Sequence, residues 1–562
     1  MKMCSRLVAG TIVGLSSLVP IHAQHVSIAV AENDSRDVFA FELQSAFPAP
    51  SGLSPEEDES PAWLPMRSHP SKSSNGLRGL AFPGPDHDQQ SRRRLQEYHL
   101  PQHMTLLPSP DDWFPIGQKI EGGDAVMDAT GFAVATNQDA SVVAIGSRFP
   151  STQPHHHGTQ PHNGSGEVRV YKLQHGEWRQ LGRGITGDYF ENDETGCAIS
   201  LSDDGQVLAV GARFNNGNGE SSGHVRVFRF SVDHPHNQLT GEPTDDWVMV
   251  GQDIRGEHAL DESGYAVSLS GDGTIVSIGA VFNDDGGFGA GHVRVYEYSQ
   301  PSHSWIKLGN DLDGETSGDR FGSSTALSRD GLTVASGARF SSSPRSASSS
   351  PHNNHVVVDD DDDDDAGSVR IHRFDRSKRR WKQIGQTLVG PSKSQSGNSV
   401  SLSDDGSVVA IGVTNGQAGK SRQPHVAVYR YNSWSDQWIP FGSPIPGHLL
   451  EEESNDNDDN NNNVVLNVHV SLSGNGQRLA VGQSANRHDD ARVYEYQPSS
   501  QQWIGVSSSF RMASHNDDDD ESFRKGNRVA LSNDGKSVIV GSWLPNENGR
   551  GVSGNVQLYR SL

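Results

Sequence analysis

The chain of 562 residues contains only two cysteines, Cys4 and Cys197. Cys4 lies in an N-terminal segment that we expect to be removed, which leaves Cys197 alone. A single cysteine excludes an intramolecular disulfide, so the mature chain must be stabilised by packing. Cys197 follows Gly196 at a strand position where other copies of the same motif have Tyr, Phe or Ser. We therefore interpret it as a buried structural thiol.

Long hydrophobic runs are also scarce. The N-terminal run Leu7–Leu18 has about a dozen residues, short of the roughly 20 that a membrane-spanning helix needs, and no later run is longer. Lys2 and Arg6 precede this run and Ile21-His22-Ala23 follows it, which is the pattern of a secretory signal peptide. The sequence thus predicts a signal peptide over residues 1–23, a secreted protein and no membrane span.

Basic residues are outnumbered. Lys and Arg total 46 against 70 Asp and Glu, which gives a formal charge of −24. A surface this negative repels nucleic acid and anionic membranes, and it attracts cations and basic polymers. The composition therefore excludes nucleic acid as a partner. The partners that we expect are an extracellular protein, a polysaccharide or a basic polymer.

Residues 24–112 contain little that can form a core. The segment is rich in Ser, Pro and charge, with short strand-like stretches only at Val26–Val30 and Phe39–Leu43. So little apolar surface cannot offset the entropy of ordering the chain, which predicts a disordered leader. Arg92-Arg93-Arg94 is typical of a basic processing site. The segment is thus either a propeptide or a linker with a charged patch.

From residue 113 onward the chain repeats one motif, most regular over Gly264–Gly309. Tyr265–Ser270 alternates apolar with small or polar residues, Gly271-Asp272-Gly273 predicts a hairpin, and two further strands and an outer strand follow. The outer strand has the form Trp-x-x-[LIVF]-Gly. Its copies are Trp113–Gly117, Trp178–Gly182, Trp247–Gly251, Trp305–Gly309, Trp381–Gly385, Trp438–Gly442 and a degenerate Trp503–Val506. These tryptophans are predicted to pack between neighbouring repeats.

The phase of the repeats predicts a closed ring. Each strand type occurs seven times, but the array opens with an outer strand at Trp113 and ends on a third strand at Val556–Tyr559. If the first strand completes the last repeat, no exposed sheet edge remains. The sequence therefore predicts an all-β fold over residues 113–562: a seven-bladed β-propeller of four-stranded antiparallel blades, closed by the N-terminal outer strand.

One stretch resembles a known family. Gly318–Ala338, GDRFGSSTALSRDGLTVASGA, is similar to the FG-GAP-type repeat, whose relatives include the head propellers of integrin alpha chains. The resemblance covers residues 113–562 and implies a propeller used for binding. Blades 1 and 6 depart from it, because Gln138-Asp139-Ala140 and Gly474-Asn475-Gly476 replace the Asp-Gly turn. The calcium loop D-x-[DN]-x-D-G of many integrin blades is not matched.

Acidic insertions fall in the connections between the second and third strands and in those that enter the next blade, which share one face of a propeller. The runs are Asp359–Asp365, Glu451–Asp459 and Asp517–Glu521. They are either solvated low-complexity insertions or a site of weak, diffuse cation binding. The candidate ligands are Asp359, Asp361, Asp363, Asp365, Asp517 and Asp519. We expect no cofactor, and the metal that fits these runs is weakly bound calcium.

A second acidic pattern precedes the first four blades. An Asp lies three residues before the opening glycine, with another acid four or five residues earlier: Asp128, Asp193, Asp261 and Asp319, preceded by Asp124, Asp188, Glu257 and Glu315. Repetition at four successive blades favours an Asp that fixes the turn by accepting backbone N–H groups. Paired carboxylates that hold a hard cation are the alternative.

The sequence leaves two functional classes open. No G-x-S-x-G, H-E-x-x-H, P-loop or dinucleotide motif is present, so we assign no catalytic residue. The first hypothesis is a secreted, monomeric binding or scaffold propeller that engages protein, glycan or cations through its acidic loop face. The second is a secreted polysaccharide hydrolase or lyase that uses carboxylates in the central funnel. The repeats stay similar where a catalytic site should break the pattern, which favours binding.

Overall fold

The computed structural model describes residues 113–122, 129–148, 165–187, 193–232, 245–342, 365–414, 424–447, 467–484, 489–510, 527–542 and 554–561. Residues 1–112 lie outside this part of the chain, so the signal peptide and the leader stay predictions. The described residues form β-strands joined by turns. Among them there is no helix long and apolar enough to cross a membrane.

The strands form seven antiparallel sheets, each of which is one blade. The strands of blades 1 to 3 are β2 (Thr130–Thr136), β3 (Val142–Ser147), β4 (Glu167–Gln174), β5 (Glu177–Gln180) and β6 (Ile185–Thr186); β7 (Ala198–Leu201), β8 (Val207–Ala212), β9 (His224–Ser231), β10 (Asp246–Met249) and β11 (Ile254–Arg255); and β12 (Ser263–Leu269), β13 (Ile275–Ala280), β14 (His292–Ser299), β15 (Ser304–Lys307) and β16 (Leu312–Asp313).

Blades 4 and 5 repeat this arrangement, whereas blade 6 has four strands. Their strands are β17 (Phe321–Leu327), β18 (Thr333–Ala338), β19 (Ser368–Asp375), β20 (Arg380–Gln383) and β21 (Leu388–Val389); β22 (Ser399–Leu402), β23 (Val408–Val413), β24 (His425–Asn432), β25 (Gln437–Pro440) and β26 (Ile445–Pro446); and β27 (Asn467–Leu472), β28 (Arg478–Ser484), β29 (Asp489–Gln497) and β30 (Gln502–Gly505). Blade 7 contains β31 (Asn527–Leu531), β32 (Ser537–Ser542), β33 (Asn555–Ser561) and β1 (Trp113–Glu121).

Blade 7 confirms the predicted closure. The first strand of the chain, β1, pairs antiparallel with the last, β33, so that Trp113 lies opposite Ser561 and Glu121 opposite Asn555. The N-terminal strand thereby becomes the outer strand of the last blade. The seven-bladed propeller of four-stranded blades predicted from the repeat phase is the fold of this chain.

The second strand of each blade is its most buried element. In blades 1 to 5 and in blade 7 it is buried at all six positions. A strand with a sheet neighbour on each side and another blade against each face has no exposed surface, which explains its continuous β-branched and apolar sequence. The third strand is buried at its start and becomes exposed toward its end: in β14 the first four residues are buried and the last four are not.

The outer strand differs from the prediction, because in five blades it is divided in two. In blade 3, β15 pairs with the end of β14 and the short β16 pairs with its start, at His292 and Val293. Gly309 lies between the two segments with a φ of +82°. In blade 7 the same irregularity is a register shift between Ile116 and Ile120 within one strand. A glycine bulge thus interrupts the outer edge.

The tryptophan of the Trp-x-x-[LIVF]-Gly motif forms a hydrogen bond to the neighbouring blade. The Trp305 indole N–H of blade 3 donates to the Val250 carbonyl of blade 2 at 2.8 Å. A Cβ on Gly251, the next residue, would lie 2.8 Å from Trp305 Cδ1. The equivalent indole bonds are Trp113 to Val506, Trp178 to Ile116, Trp247 to Leu181, Trp381 to Leu308, Trp438 to Ile384 and Trp503 to Phe441. The predicted packing of tryptophans between blades is confirmed.

Side chains cap the hairpin between the first and second strands. In blade 2, Ser202 Oγ donates to Asp204 Oδ1 at 2.6 Å and accepts the Val207 N–H at 2.9 Å. The two blades without Asp-Gly form the same turn through other pairs, Asn137 with Asp139 and Ser473 with Asn475. Their departure from the repeat pattern therefore does not change the fold.

The Asp before each opening glycine anchors the turn into the blade. Asp261 is buried, and its Oδ2 accepts the N–H groups of Glu257 and His258 at 3.0 and 2.9 Å. Asp319 accepts the N–H groups of Glu315 and Thr316 in the same way, at 3.1 and 2.9 Å. The structural interpretation is thereby confirmed at Asp261 and Asp319. Asp193 accepts a hydrogen bond from Asn215 Nδ2 at 3.0 Å, and Asp128 lies outside the described residues.

Cys197 is free and buried, as predicted. Its Sγ lies 3.6 Å from the Gly211 carbonyl and 3.5 Å from the Gly264 carbonyl, in a contact between blades 2 and 3. Burial raises the pKa of the thiol to about 11, which opposes formation of a thiolate.

Candidate functional site

The residues predicted to bind cations lie mostly outside the described part of the chain. This applies to Asp359, Asp361, Asp363, Asp517 and Asp519. Asp365 is described: it forms an isolated bridge with Ser342, and its carbonyl accepts the Gln395 N–H at 3.0 Å. Cation binding by the acidic runs therefore stays a prediction.

The seven blades surround a central channel, and the hairpins between the first and second strands lie at one end of it. A ring of backbone hydrogen bonds joins these hairpins. In each hairpin the residue before the capping Asp or Asn donates its N–H to the corresponding carbonyl of the next blade, at 2.8 to 3.1 Å. The ring runs through Gln138, Asp203, Gly271, Arg329, Asp404, Gly474 and Asn533 and returns to Gln138. These bonds connect all seven blades at one end of the channel.

The Arg329 side chain crosses this hairpin-side mouth. Arg329 belongs to blade 4, yet its Nε donates to Asp203 Oδ2 of blade 2 at 2.6 Å. Its other nitrogens lie 3.8 Å from Asp404 Oδ2 and 3.5 Å from Gln138 Oε1. Asn533 donates to both oxygens of Asp404. Charged groups at this mouth are thus already paired with one another.

Five arginines gather at the opposite mouth of the channel, where the second strands end and the first strands begin. They are Arg148, Arg213, Arg320, Arg339 and Arg528. We call them the arginine mouth. Arg528 of blade 7 donates to the Phe132 carbonyl of blade 1 at 3.0 Å and lies 2.8 Å from His469 Nδ1 of blade 6. The site therefore combines side chains from blades all round the channel.

Residues of two other blades act on the pKa of Arg528. Burial lowers this pKa to about 10, while the fields of Tyr265 and Cys197 act in the opposite direction. Tyr265 belongs to blade 3 and Cys197 to blade 2. Side chains of blades 7 and 3 can influence each other only across the central channel. Burial and the Arg528 charge likewise hold the pKa of His469 well below 6.5, so that this imidazole is neutral at physiological pH.

Two carboxylates accompany the arginine mouth. Glu194 is almost fully buried, and its two oxygens are paired with Arg148 and Arg213. Glu262 lies 3.7 Å from Arg213, and its pKa is raised, chiefly by burial, with Arg213 opposing and Glu194 adding to the shift. Among the residues that the structure describes here, five guanidinium groups face Glu194 and Glu262, and the charge of Asp284 also acts on Arg320. The described part of this mouth therefore has an excess of positive charge, although the whole chain is acidic.

Aromatic rings hold the guanidinium groups in place. The Arg213 and Arg339 guanidiniums lie 5.2 and 5.7 Å from the Tyr265 ring centroid. Those of Arg148 and Arg528 lie 5.2 and 5.4 Å from the ring of Phe132. Cation–π contacts use the flat face of a guanidinium and leave its N–H edge free for a ligand. The arrangement can bind an oxyanion between charged edges and ring faces.

Sequence reasoning missed the arginine mouth, although the signal is visible once the blades are aligned. Arg148, Arg213 and Arg339 stand at the same position after the second strand, within G-[SA]-R-F. Residues just after the opening of the first strand differ from blade to blade, whereas the strand that follows is repeated. They are Phe132, Cys197, Tyr265, Ser323, Asn398, His469 and Arg528. Variable residues on an invariant scaffold are typical of a binding site.

Comparison with known proteins finds solved structures of very low similarity to this chain. No protein-family model and no curated protein sequence matches it. Solved structures similar to it include the Dos1 propeller (12% identity, 80% of this chain and 95% of that chain, TM-score 0.40), Sqt1 of Saccharomyces cerevisiae (12%, 79% and 88%, 0.39) and Hsv2 of Kluyveromyces lactis (10%, 79% and 99%, 0.38). At TM-scores of this size the likenesses add nothing to the strand pairing, on which the propeller assignment rests.

Proposed function

We propose that this protein is a secreted binding propeller whose arginine mouth engages an anionic polysaccharide. The observation that carries the proposal is the arginine excess at one mouth of the channel, against the internally paired charges at the other. Among the described residues, Arg320 Nη1 and Arg339 Nε are buried and have no hydrogen-bond partner. A buried guanidinium nitrogen without a partner is costly, and an oxyanion would satisfy it.

The chemistry of the mouth suits carboxylate or sulfate groups carried on sugar rings. A guanidinium presents a planar fork of donors that matches a carboxylate or sulfate bidentately. Tyr265 and Phe132 supply flat apolar faces beside the arginines, and such faces can pack against a sugar ring. Uronic acids and sulfated sugars combine both features. Neutral polysaccharides and basic polymers do not.

The test is calorimetric titration of the full chain with three oligosaccharide probes. An oligogalacturonate and a sulfated oligosaccharide separate the two sources of oxyanion, and a neutral oligosaccharide of equal length is the control. We expect the charged probes to bind, with an affinity that falls as salt is raised, because the interaction is ionic and partly exposed. Equal binding of the neutral probe, or no binding of either charged probe, would contradict the proposal.

The second hypothesis, a polysaccharide hydrolase or lyase, rests on Glu262. Its raised pKa is the property that a general acid needs. Glu194, the carboxylate whose charge acts on Glu262, has both oxygens engaged by arginines, which leaves it no free oxygen to act as base or nucleophile. The geometry therefore favours binding over cleavage. If either charged probe released reducing ends or unsaturated products, and Glu262→Gln abolished that release, cleavage would be favoured over binding.

The FG-GAP assignment and secretion belong to the same proposal. Gly318–Ala338, which carries the resemblance, spans β17, its hairpin and β18, as a blade repeat requires. Secretion is supported by the signal-like segment 1–23. N-terminal sequencing of protein recovered from the medium of an expressing cell tests the second point. We expect the mature chain to begin at Gln24 or after Arg94, and an intact Met1 on intracellular protein would contradict it.

A further inference from the structure

A cluster of three metal-ligand side chains lies between blades 2 and 3, away from the arginine mouth. Glu257 is in the connection that enters blade 3, Asp285 is in the loop between β13 and β14, and His292 begins β14. One ligand atom of each lies within 4.8 Å of the other two. His292 Nδ1 is 4.0 Å from Glu257 Oε2.

The surroundings of His292 are an independent observation that points to a ligand at this cluster. Its side chain is completely buried, and neither ring nitrogen has a hydrogen-bond partner among the described residues. Buried polar atoms are almost always satisfied in native proteins. The corresponding histidines of blades 2 and 5, His224 and His425, do have partners.

We propose that Glu257, Asp285 and His292 form a binding site for a divalent transition-metal ion of the zinc type. One imidazole nitrogen and two carboxylate oxygens are the donor set that suits zinc or manganese, whereas calcium and magnesium prefer oxygen alone. Three protein ligands leave a position open for water or an exchangeable group. This site is independent of the oxyanion site proposed at the channel mouth.

The surroundings of the cluster support a cation. Arg294 Nη1 holds Glu257 Oε1 at 3.1 Å and so leaves Oε2 toward His292, as an outer partner of a metal ligand does. Asp313 lies opposite His292 in the pairing of β14 with β16, so a further carboxylate residue stands next to the cluster. Several carboxylates therefore crowd one another here, and a cation among them would relieve their repulsion.

The ligands can also reach an ion. Ligand atoms around a tetrahedral zinc lie about 3.3 Å apart, so the carboxylates must move by roughly 1 Å toward the buried imidazole. Asp285 is exposed and Glu257 is partly exposed, which allows that movement and gives the ion a path from solvent. The backbone N–H of Asp285 bonds to Asn283 Oδ1 at 3.0 Å, which orients the loop.

Blade 4 offers a matched control within the same chain. Glu315 corresponds to Glu257 and pairs with Arg370 at 3.3 Å, as Glu257 pairs with Arg294. Ser368 stands where blade 3 has His292. The blade-to-blade ion pair thus forms without the histidine, so His292 and Asp285 are not required for this junction. Glu315→Gln removes one carboxylate charge, as Asp285→Asn does, in a blade where no site is proposed.

The experiment is equilibrium dialysis of the full chain against zinc, with the wild type, Asp285→Asn, His292→Gln and Glu315→Gln compared. We expect both site variants to lose one tight equivalent, with the affinity of that equivalent lowered at least about tenfold, and Glu315→Gln to match the wild type. The comparison cancels zinc held elsewhere, for example by His155–His157. Asp285 is exposed, so its variant keeps the test valid if His292→Gln fails to fold.

Anomalous diffraction at the zinc edge locates the ion directly. A peak beside His292 Nδ1 or Nε2 in wild-type crystals grown with zinc is the expected result. Unchanged zinc stoichiometry in both site variants, or the absence of that peak at saturating zinc, would overturn the proposal.

Discussion

At the scale of single residues, the contacts of Trp305 with the preceding blade explain why the outer-strand motif contains both tryptophan and glycine. The indole needs an acceptor and a flat surface, and the preceding blade provides the carbonyl of Val250 and the bare backbone of Gly251. Gly251 also has a φ of +75°, in the left-handed region that favours glycine. One motif therefore supplies both halves of the blade junction, except between blades 6 and 7, where Ser507 follows the acceptor Val506 in place of glycine.

Replacing Trp305 with Ala should lower the free energy of unfolding by about 3–5 kcal/mol, the usual cost of removing a buried aromatic side chain. Trp305 is 3% exposed and also donates a hydrogen bond to the neighbouring blade. Urea unfolding followed by far-ultraviolet circular dichroism measures the change. Unchanged stability together with lost binding of oligogalacturonate would show instead that the tryptophan contacts ligand.

His372 makes stability depend on pH. It is buried in β19 with an unpartnered Nδ1, and burial, together with Arg370, lowers its pKa from 6.5 to about 3. A lowered folded-state pKa means that the unfolded chain binds the proton first, so stability is complete above pH 6.5 and is lost as the pH falls toward 3. Between pH 7.5 and 5.0 this residue should cost about 2 kcal/mol.

Urea unfolding of the wild type and His372→Gln at both pH values tests this dependence. The variant should lose less stability on acidification, whatever its stability at pH 7.5. Other buried histidines, such as His469, remain in both proteins and cancel in the comparison. Parallel pH profiles would contradict the assignment to His372.

At the scale of elements, β1 decides whether the ring is closed. It contributes the outer edge of blade 7, and Trp113 and Ile120 pack with Phe510 and Val556 of that region. Deleting residues 1–121 behind a new signal should therefore lower the melting temperature much more than deleting residues 24–110. Equal melting temperatures of the two truncated proteins would contradict closure by β1.

The repeat pattern was enough to predict the blades, their number and the closing strand, because each is encoded by a local signal copied seven times. The split outer strand was not predictable, since the segment β16 has only two residues and is defined by its pairing with β14. The conformation of the blade 1 turn was also not predictable from its sequence, which lacks the Asp-Gly pair. Ala140 adopts a φ of +56° where the other blades use glycine, because the Asn137 and Asp139 bonds still close the turn.

At the scale of the whole molecule, the candidate site could not be predicted from the sequence. Arg148 and Arg528 are separated by most of the propeller in sequence, and only the closed ring brings both to the ring face of Phe132. The composition predicted cation binding instead, because acidic residues outnumber basic ones and the net charge is negative. The burial of Glu194 and its pairing with Arg148 and Arg213 likewise depend on tertiary packing.

The acidic runs themselves should bind cations weakly and through many groups. Seven consecutive aspartates at 359–365 repel one another and must attract counter-ions. Calorimetric titration with calcium and with polylysine should give weak, salt-sensitive isotherms that diminish when Asp359–Asp365 is replaced by Ser and Gly. Identical isotherms for the two proteins would make these runs inert insertions.

The central claim, oxyanion binding at the arginine mouth, is tested most directly by two arginines of one blade. Arg329 and Arg339 lie at opposite ends of β18, so Arg329→Gln and Arg339→Gln remove the same charge from opposite mouths. The measurement is the calorimetric affinity of each variant for oligogalacturonate. Arg339→Gln should weaken binding at least about tenfold, the value of one charge-assisted hydrogen bond, and Arg329→Gln should leave it unchanged. Equal affinities in both variants, or a loss confined to Arg329→Gln, would contradict the claim.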